Sequence, residues 1–290
     1  MDYFLRACLL VGFGTLAAVQ LLAKEPAGAV PFALDDRGGV VVSASVAGRG
    51  PFRLLVDTGS SRSAFSEEAI RTIGATAVAK TEVVSPTGRA WRGVAEIGPV
   101  DVGPAAQPKL LVTILPADEV RALGAGVDGV LGQDFLRTLS YTIDYRHRQL
   151  LWNVVGGPGT DTSEIRLTLR PDEGRFLVEL PQDKANSRLV RFVPDSGADM
   201  VVMFDRAGEL PLAMSQRDRA ASVLGLAGRR NAAFGSIAAL RIGTEVWRNC
   251  PAAVLPGRSD GPQVDGLLPL RLFSRVSFFP NDGVLVVVPR

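Results

Sequence analysis

Short apolar runs alternate with turns rich in Gly and Pro along most of this chain. Residues 39–46 alternate apolar with small or polar positions, and the run 52–56 follows a turn that contains Gly and Pro. This pattern predicts a β-hairpin whose second strand ends immediately before Asp57. A short helix is predicted over residues 66–74, with a serine N-cap, acidic residues in its first turn and a glycine stop. The chain is therefore expected to be mainly β.

The second half of the chain repeats this plan. Two further apolar runs predict another pair of strands, and the second of them leads to Asp195. Gly88 follows Asp57 by 31 positions and Gly228 follows Asp195 by 33, each in a predicted hairpin with a glycine at its tip. Landmarks that keep their order and spacing in both halves predict two homologous lobes of mainly β structure.

The predicted organisation places a short segment before the two lobes and a linker between them. Residues 1–24 form the N-terminal segment, residues 30–155 the N-terminal lobe and residues 164–290 the C-terminal lobe. The linker, residues 156–163, is rich in Gly, Thr and Ser, as expected of a flexible connection. At 290 residues the chain is long enough for each lobe to have its own core.

An export signal is predicted over residues 1–24, because Arg6 precedes the largely apolar stretch 7–23. Cleavage of this segment would leave a periplasmic or secreted protein. The apolar stretch is also near the lower length limit for a membrane span, so an uncleaved anchor in the inner membrane is the alternative.

Composition narrows the range of possible partners, catalytic mechanisms and metal sites. Acidic and basic residues nearly balance, at 30 and 32, and no basic stripe is interleaved with aromatics, so nucleic acid is not an expected partner. His147 is the only histidine and lies in a polar turn, which disfavours Ser-His-Asp catalysis and excludes multi-histidine metal sites. The two cysteines, Cys8 and Cys250, cannot build a zinc cluster. No metal and no cofactor are therefore expected.

Asp57 and Asp195 are the candidate catalytic residues, since each follows a buried strand and opens a loop that contains glycine. Two related lobes would bring equivalent loops together at a pseudo-twofold axis. Gly59 and Gly197 have no side chains and would let these loops approach closely. Two neighbouring carboxyl groups would share one proton, and the pair could activate a water for direct hydrolysis of an amide.

The chain resembles the aspartic peptidases of the retropepsin and pepsin type, in a bacterial-style form with two lobes in a single chain. The resemblance lies in Asp57-Thr58-Gly59-Ser60, Asp195-Ser196-Gly197-Ala198, Val130-Leu131-Gly132 with the following Gln133-Asp134-Phe135-Leu136, and the hairpin tip Thr87-Gly88-Arg89. It covers about residues 38–290 and implies two retropepsin-like β-barrel lobes in a pepsin-like bilobal architecture. It also implies a monomer whose partner is a peptide or protein substrate.

The same resemblance assigns roles to the residues around the two acids. The hydroxyls of Thr58 and Ser196 would form hydrogen bonds across the axis, and Ser60 would donate to the outer oxygen of Asp57. Two hairpins would close over an extended substrate that binds as an added strand. Their tips carry Thr87, Gly88 and Arg89 in the first hairpin, and Ala227 and Gly228 in the second.

The predicted function is an aspartic endopeptidase that acts on extended peptide segments. Three departures from the family pattern lie in the second half: Pro194 before the acid, Asp199 after it, and Pro269 in place of a closing glycine. They favour the alternative of a catalytically inactive peptide-binding protein that keeps the same fold. A membrane-tethered processing enzyme with a single substrate is a further alternative.

Overall fold

The computed structural model describes residues 28–124, 126–153, 163–182, 189–205, 210, 212–225, 228–257 and 264–290. The predicted export signal, the predicted linker up to residue 162 and the predicted tip residue Ala227 lie outside the described residues. In the part of the chain that is described, no helix is both long enough and apolar enough to cross a membrane.

Strands dominate the first half of the chain. They are β1 (Gly28–Pro31), β2 (Ala33–Leu34), β3 (Val40–Val46), β4 (Arg49–Val56), β5 (Ala64–Ser66), β6 (Ala77–Ser85), β7 (Gly88–Ile97), β8 (Val100–Val102), β9 (Ala105–Gln107), β10 (Leu110–Leu115), β11 (Gly129–Leu131), β12 (Tyr141–Asp144) and β13 (Gln149–Trp152). The helices between them are α1 (Glu67–Ile73), α2 (Ala117–Leu123) and α3 (Gln133–Leu136).

The predicted short helix is confirmed as α1. Ser66 is its N-cap, and the Ser66 hydroxyl accepts a hydrogen bond from the N–H of Ala69 at 3.0 Å. Gly74 ends the helix with φ of 82°, in the left-handed region that glycine adopts without steric cost.

The second half is built almost entirely of strands and continues to the C-terminus. They are β14 (Ile165–Thr168), β15 (Arg170–Asp172), β16 (Arg175–Pro181), β17 (Leu189–Asp195), β18 (Val201–Asp205), β19 (Met214–Gly225), β20 (Gly228–Ile242), β21 (Glu245–Pro256), β22 (Gly266–Pro269), β23 (Phe273–Phe279) and β24 (Val284–Pro289). Single 3-10 turns cover Leu270–Leu272 and Pro280–Asp282.

Each half of the chain forms a sheet of its own, and the two sheets share a local arrangement. The first has the strand order β6-β7-β10-β5-β11-β4-β3-β8-β9, with β2 on β3, and the second β15-β16-β17-β22-β18-β21-β20-β19. In the first, β11 is parallel to β4 and antiparallel to β5. In the second, β22 is parallel to β17 and antiparallel to β18. The repeat detected in the sequence is therefore a repeat of strand topology.

A third sheet combines strands from both halves in the order β1-β13-β12-β23-β24-β14. Its central junction pairs β12 with β23, where the rings of Tyr141 and Phe278 stack with centroids 4.7 Å apart. The sequence did not predict β23 or this sheet. One hydrophobic cluster also contains buried side chains of both halves, including Phe65 and Phe192, so the two halves share a core.

Candidate active site

The two candidate acids occupy equivalent places in the two sheets. Asp57 directly follows β4, and Asp195 is the last residue of β17. The parallel neighbours β11 and β22 extend beside these strand ends, so that Leu131 pairs with Val56 and Pro269 pairs with Asp195. Both predicted acid-bearing strands are therefore confirmed, and each delivers its carboxyl group into the loop that follows.

The two carboxyl groups lie close enough to shift each other's pKa. The loops approach so closely that a Cβ atom at Gly59 would lie 2.6 Å from Cγ of Asp195. A Cβ atom at Gly197 would lie 3.1 Å from Cγ of Asp57. The structure thus brings together the two acids and the two glycines that the sequence singled out.

Backbone N–H groups hold both carboxyl groups in the same manner. Oδ1 of Asp57 accepts hydrogen bonds from the N–H groups of Gly59 and Ser60, at 2.9 and 3.0 Å. Oδ1 of Asp195 accepts from the two equivalent N–H groups, at 2.8 and 3.1 Å. Each acid is therefore oriented by its own loop, without help from a substrate.

Burial raises the pKa of both carboxyl groups above their ordinary value. For Asp57 the rise is opposed by backbone donors of its loop, by a hydrogen bond with Asp195 and, to the smallest extent, by the charge of Arg175. The pKa of Asp195 rises well above its ordinary value, because the negative charge of Asp57 adds to the effect of burial. Two such groups lose their protons in separate steps, so the pair holds one proton between those steps.

Thr58 and Ser196 join the two loops through reciprocal hydrogen bonds. The Thr58 hydroxyl donates to the Pro194 carbonyl at 2.8 Å and accepts from the Ser196 N–H at 3.0 Å. The Ser196 hydroxyl donates to the Val56 carbonyl at 2.7 Å and accepts from the Thr58 N–H at 3.0 Å. Both side chains are buried, so these four bonds replace contacts with water and fix the loops against each other.

The expectation for the Ser60 hydroxyl is wrong. This hydroxyl donates to the carbonyl of Arg62 at 2.8 Å, whereas Asp57 is reached by the Ser60 N–H. Serine hydroxyls readily satisfy nearby backbone carbonyls, and the turn of this loop places one within reach. The second half has Ala198 at the equivalent position, so this position supplies a hydroxyl donor to neither acid.

The structure accommodates two of the departures in the second half. Pro194 contributes only its carbonyl to the link with Thr58, and proline retains that group. In the first half, the N–H of Gly132 donates to the Ser63 hydroxyl at 3.0 Å. The equivalent positions hold Pro269, which has no N–H, and Val201, which has no hydroxyl. Donor and acceptor are missing together, so no polar group loses its partner.

No role was predicted for Gln133 and Asp134, which fix the Asp57 loop from the side of the core. The buried Gln133 carboxamide donates to the carbonyl of Thr58 at 3.0 Å. Oδ1 of Asp134 accepts from the N–H and the hydroxyl of Ser63, at 2.9 and 2.6 Å. Both residues belong to the family element that follows Gly132, and the full burial of Gln133 is unusual for a polar side chain.

A cleft of about 750 Å³ lies over the two acids and is lined by both of them. The predicted first hairpin is confirmed as β6 and β7, and its tip residues Thr87 and Arg89 line the cleft, with Gly88 at the start of β7. Asp199, the remaining departure from the family pattern, also lines the cleft. The acids therefore open into a space enclosed on one side by the first hairpin.

The second predicted hairpin consists of β19 and β20, and Gly228 begins β20. It reaches the first hairpin, since the Arg230 guanidinium donates to the Pro86 carbonyl at 3.2 Å. The two hairpins thus meet beside the cleft. Among the described residues, no cluster of three or more His, Cys, Asp or Glu side chains is arranged to hold a metal ion.

Two halves of the same strand topology, each giving one aspartate to a shared cleft, define the two-lobed aspartic protease fold. A family model described as aspartyl protease matches residues 42–135 and 184–270, and the chain belongs to this family. No curated protein matches the chain. Among solved structures, the aspartic proteinase from Irpex lacteus is similar, with a TM-score of 0.49 and 13% identity over 91% of this chain and 97% of that chain. The predicted family and its mainly β, two-lobed fold are confirmed.

Proposed function

We propose that this protein is an active aspartic endopeptidase, which hydrolyses peptide bonds with a water held between Asp57 and Asp195. The observation that carries the proposal is the pair of facing carboxyl groups at the floor of the cleft, both with raised pKa values. A pair that holds one proton contains a base and an acid side by side, as direct hydrolysis of an amide requires.

In the proposed mechanism the shared proton starts on Asp195 and Asp57 is the base, since the positive charge of Arg175 favours the ionised form of Asp57. Asp57 takes a proton from the water as its oxygen attacks the substrate carbonyl carbon, and Asp195 gives its proton to the carbonyl oxygen. The C–N bond of the tetrahedral intermediate then breaks as the proton on Asp57 passes to the leaving nitrogen. Asp195 recovers a proton from one of the two hydroxyls, which restores the starting state.

The reciprocal bonds of Thr58 and Ser196 support this mechanism by fixing the distance between the acids before substrate binds. An extended peptide would lie in the cleft beneath the hairpins β6–β7 and β19–β20 and pair with a strand edge. Pro194 and Pro269 leave no broken hydrogen bond at the site, which supports an active enzyme over an inactive binding protein.

The test is turnover of a quenched-fluorescence peptide library between about pH 3 and 7, the range in which a coupled pair of carboxyl groups titrates. Asp57→Asn should lower kcat/KM by about 10²–10⁴-fold, because the general base is lost. Asp282→Asn, an exposed acid in a 3-10 turn away from the cleft, is the matched control and should cleave normally. Turnover retained by Asp57→Asn would contradict the mechanism. Peptide binding without turnover by the wild-type protein would identify the inactive binding protein instead.

A further inference from the structure

Arg175 is a cation in the wall of the cleft, at the start of β16. Its side chain is only 15% exposed. The tight turn between β15 and β16 passes through Glu173 and Gly174, with φ of 47° and 81°. A Cβ atom at Gly174 would lie 3.4 Å from Cβ of Ser61, so this turn from the second half packs against the loop that follows Asp57. The packing holds the start of β16, and with it the backbone of Arg175, beside the Asp57 loop.

The guanidinium of Arg175 forms ion pairs but no short hydrogen bond with the described residues. Its ion-pair partners among the described residues are carboxylate oxygens of Asp172 and Glu173, at 3.6 and 3.8 Å, which is longer than a hydrogen bond. Three other arginines line the cleft. Arg89 pairs with Glu82 at 2.7 Å, Arg37 donates to a backbone carbonyl at 2.9 Å, and Arg62 is exposed to solvent. A guanidinium carries five N–H donors, and a largely buried one is expected to find acceptors for them.

The two neighbouring carboxylates differ in how firmly they are placed. The Glu173 side chain is 73% exposed at the tip of the turn and can move into solvent. Asp172 is only 19% exposed and stays beside the guanidinium, at 3.6 Å. An arriving carboxylate can then take the place of Glu173 and form two parallel N–H···O bonds, which a planar guanidinium favours.

We propose that Arg175 forms a substrate subsite that selects an acidic side chain, Asp or Glu, close to the scissile bond. This inference rests on the proposed endopeptidase function and names the substrate class for that same cleft. Arg175 is a specificity-determining residue in this proposal and takes no part in the chemical step. Its charge also acts on Asp57, which places the guanidinium near the acid that would activate the water.

The experiment measures kcat/KM for matched peptides that carry Glu, Gln or Lys at each position around the scissile bond. In the wild-type protein, one position should favour Glu over Gln. Arg175→Gln should lower that ratio by about tenfold, the size of one charge-assisted hydrogen bond. Arg175→Glu should turn the preference at the same position towards Lys, and cleavage of the Lys peptide also shows that this variant is folded.

Arg170→Gln is the matched control. Arg170 lies in β15 of the same hairpin, is 61% exposed, pairs with Glu179 at 3.0 Å and does not line the cleft. Its Glu-to-Gln ratio should equal that of the wild-type protein. An unchanged ratio in Arg175→Gln, or an equal loss of cleavage for all three peptides, would overturn the subsite while leaving the protease intact. If the wild-type protein cleaves no peptide, the proposed function fails and the subsite fails with it.

Discussion

Asp57 and Asp195 receive equivalent hydrogen bonds from the backbone of their loops. The charged groups near the two carboxyl groups differ. Burial raises the pKa of both groups, the charge of Asp57 raises that of Asp195 further, and Arg175 makes the smallest contribution to lowering that of Asp57. The two coupled groups therefore lose their protons in two separate steps. Such a separation allows one carboxyl group to act as base while its neighbour acts as acid.

The two glycines beside the acids differ in how closely they approach the opposite carboxyl group. Gly59→Ala would place a methyl group 2.6 Å from Cγ of Asp195, while Gly197→Ala would place one 3.1 Å from Cγ of Asp57. Gly59→Ala should therefore reduce kcat/KM by about 10²-fold, the effect of moving a catalytic group by roughly 1 Å, and Gly197→Ala should reduce it less. Neither glycine has a positive φ, so the comparison reports packing alone. Equal losses in the two variants would show that the closer approach has no consequence.

The raised pKa of Asp195 makes the stability of the folded protein depend on pH. Because its pKa is raised on folding, its contribution to stability is fully present below the pKa of the unfolded chain and is lost as pH rises through the folded pKa. Asn at this position keeps an oxygen for the N–H groups of the loop and has no such proton to lose. Asp195→Asn should thus raise Tm relative to the wild-type protein more at pH 7 than at pH 3. Thermal unfolding of both proteins at the two pH values checks this, and a difference that does not change with pH would contradict it.

At the scale of elements, the two acid-bearing strands have equivalent neighbouring strands, but the side chains that hold their loops are polar in one half and apolar in the other. The loop of Asp57 is held by polar side chains: Ser63, Gln133 and Asp134 form hydrogen bonds between β5, α3 and the loop itself. The equivalent positions in the second half include Val201 and Pro269, which support the Asp195 loop without such bonds. One topology is therefore stabilised by a polar network in one lobe and by apolar packing in the other.

This difference predicts that the first half does not tolerate the residue of the second half. Ser63→Val, which copies the residue found at 201, leaves the N–H of Gly132 and Oδ1 of Asp134 without the Ser63 hydroxyl. The cost should be about 1–3 kcal/mol of unfolding free energy for a buried donor that loses its acceptor. Urea unfolding of Ser63→Val and of the wild-type protein measures this cost, and an unchanged free energy of unfolding would contradict the prediction.

At the scale of the molecule, the sheet that combines both halves ties the lobes together at the β12–β23 junction. The hydroxyls of Thr142 and Ser277 form a buried hydrogen bond of 2.7 Å there, beside the stacked rings of Tyr141 and Phe278. Because β1, β12 and β13 come from the first half and β14, β23 and β24 from the second, neither half completes this sheet alone. The distance between Asp57 and Asp195 therefore depends on the β12–β23 pairing, which lies outside the active site.

Truncation of one ring at this junction should weaken the molecule as a unit. Phe278→Ala removes a fully buried side chain and should lower the unfolding free energy by about 3–5 kcal/mol. Fluorescence of Trp152 in β13 and of Trp247 in β21 reports on strands from the two halves. In the wild-type protein both probes should show one urea transition. Two separate transitions in the wild-type protein would show that the junction does not couple the halves.

The sequence by itself determined the strands that lead to Asp57 and Asp195, the helix α1 and the tip of the first hairpin. These features depend on short-range period, capping residues and turn residues, which a local stretch of chain carries in full. The duplicated spacing of acids and glycines also fixed the family, because both halves repeat it in the same order.

Only the tertiary structure decided which distant segments meet. The pairing of β12 with β23, the hydrogen bond from Gln133 to the Thr58 carbonyl and the position of Arg175 beside the Asp57 loop all join segments far apart in the chain. The orientation of the Ser60 hydroxyl was decided in the same way, by a carbonyl that the folded loop brings near. Local patterns specify which backbone forms and which side chains are buried. Partners of polar and charged side chains follow from three-dimensional proximity, which those patterns do not contain.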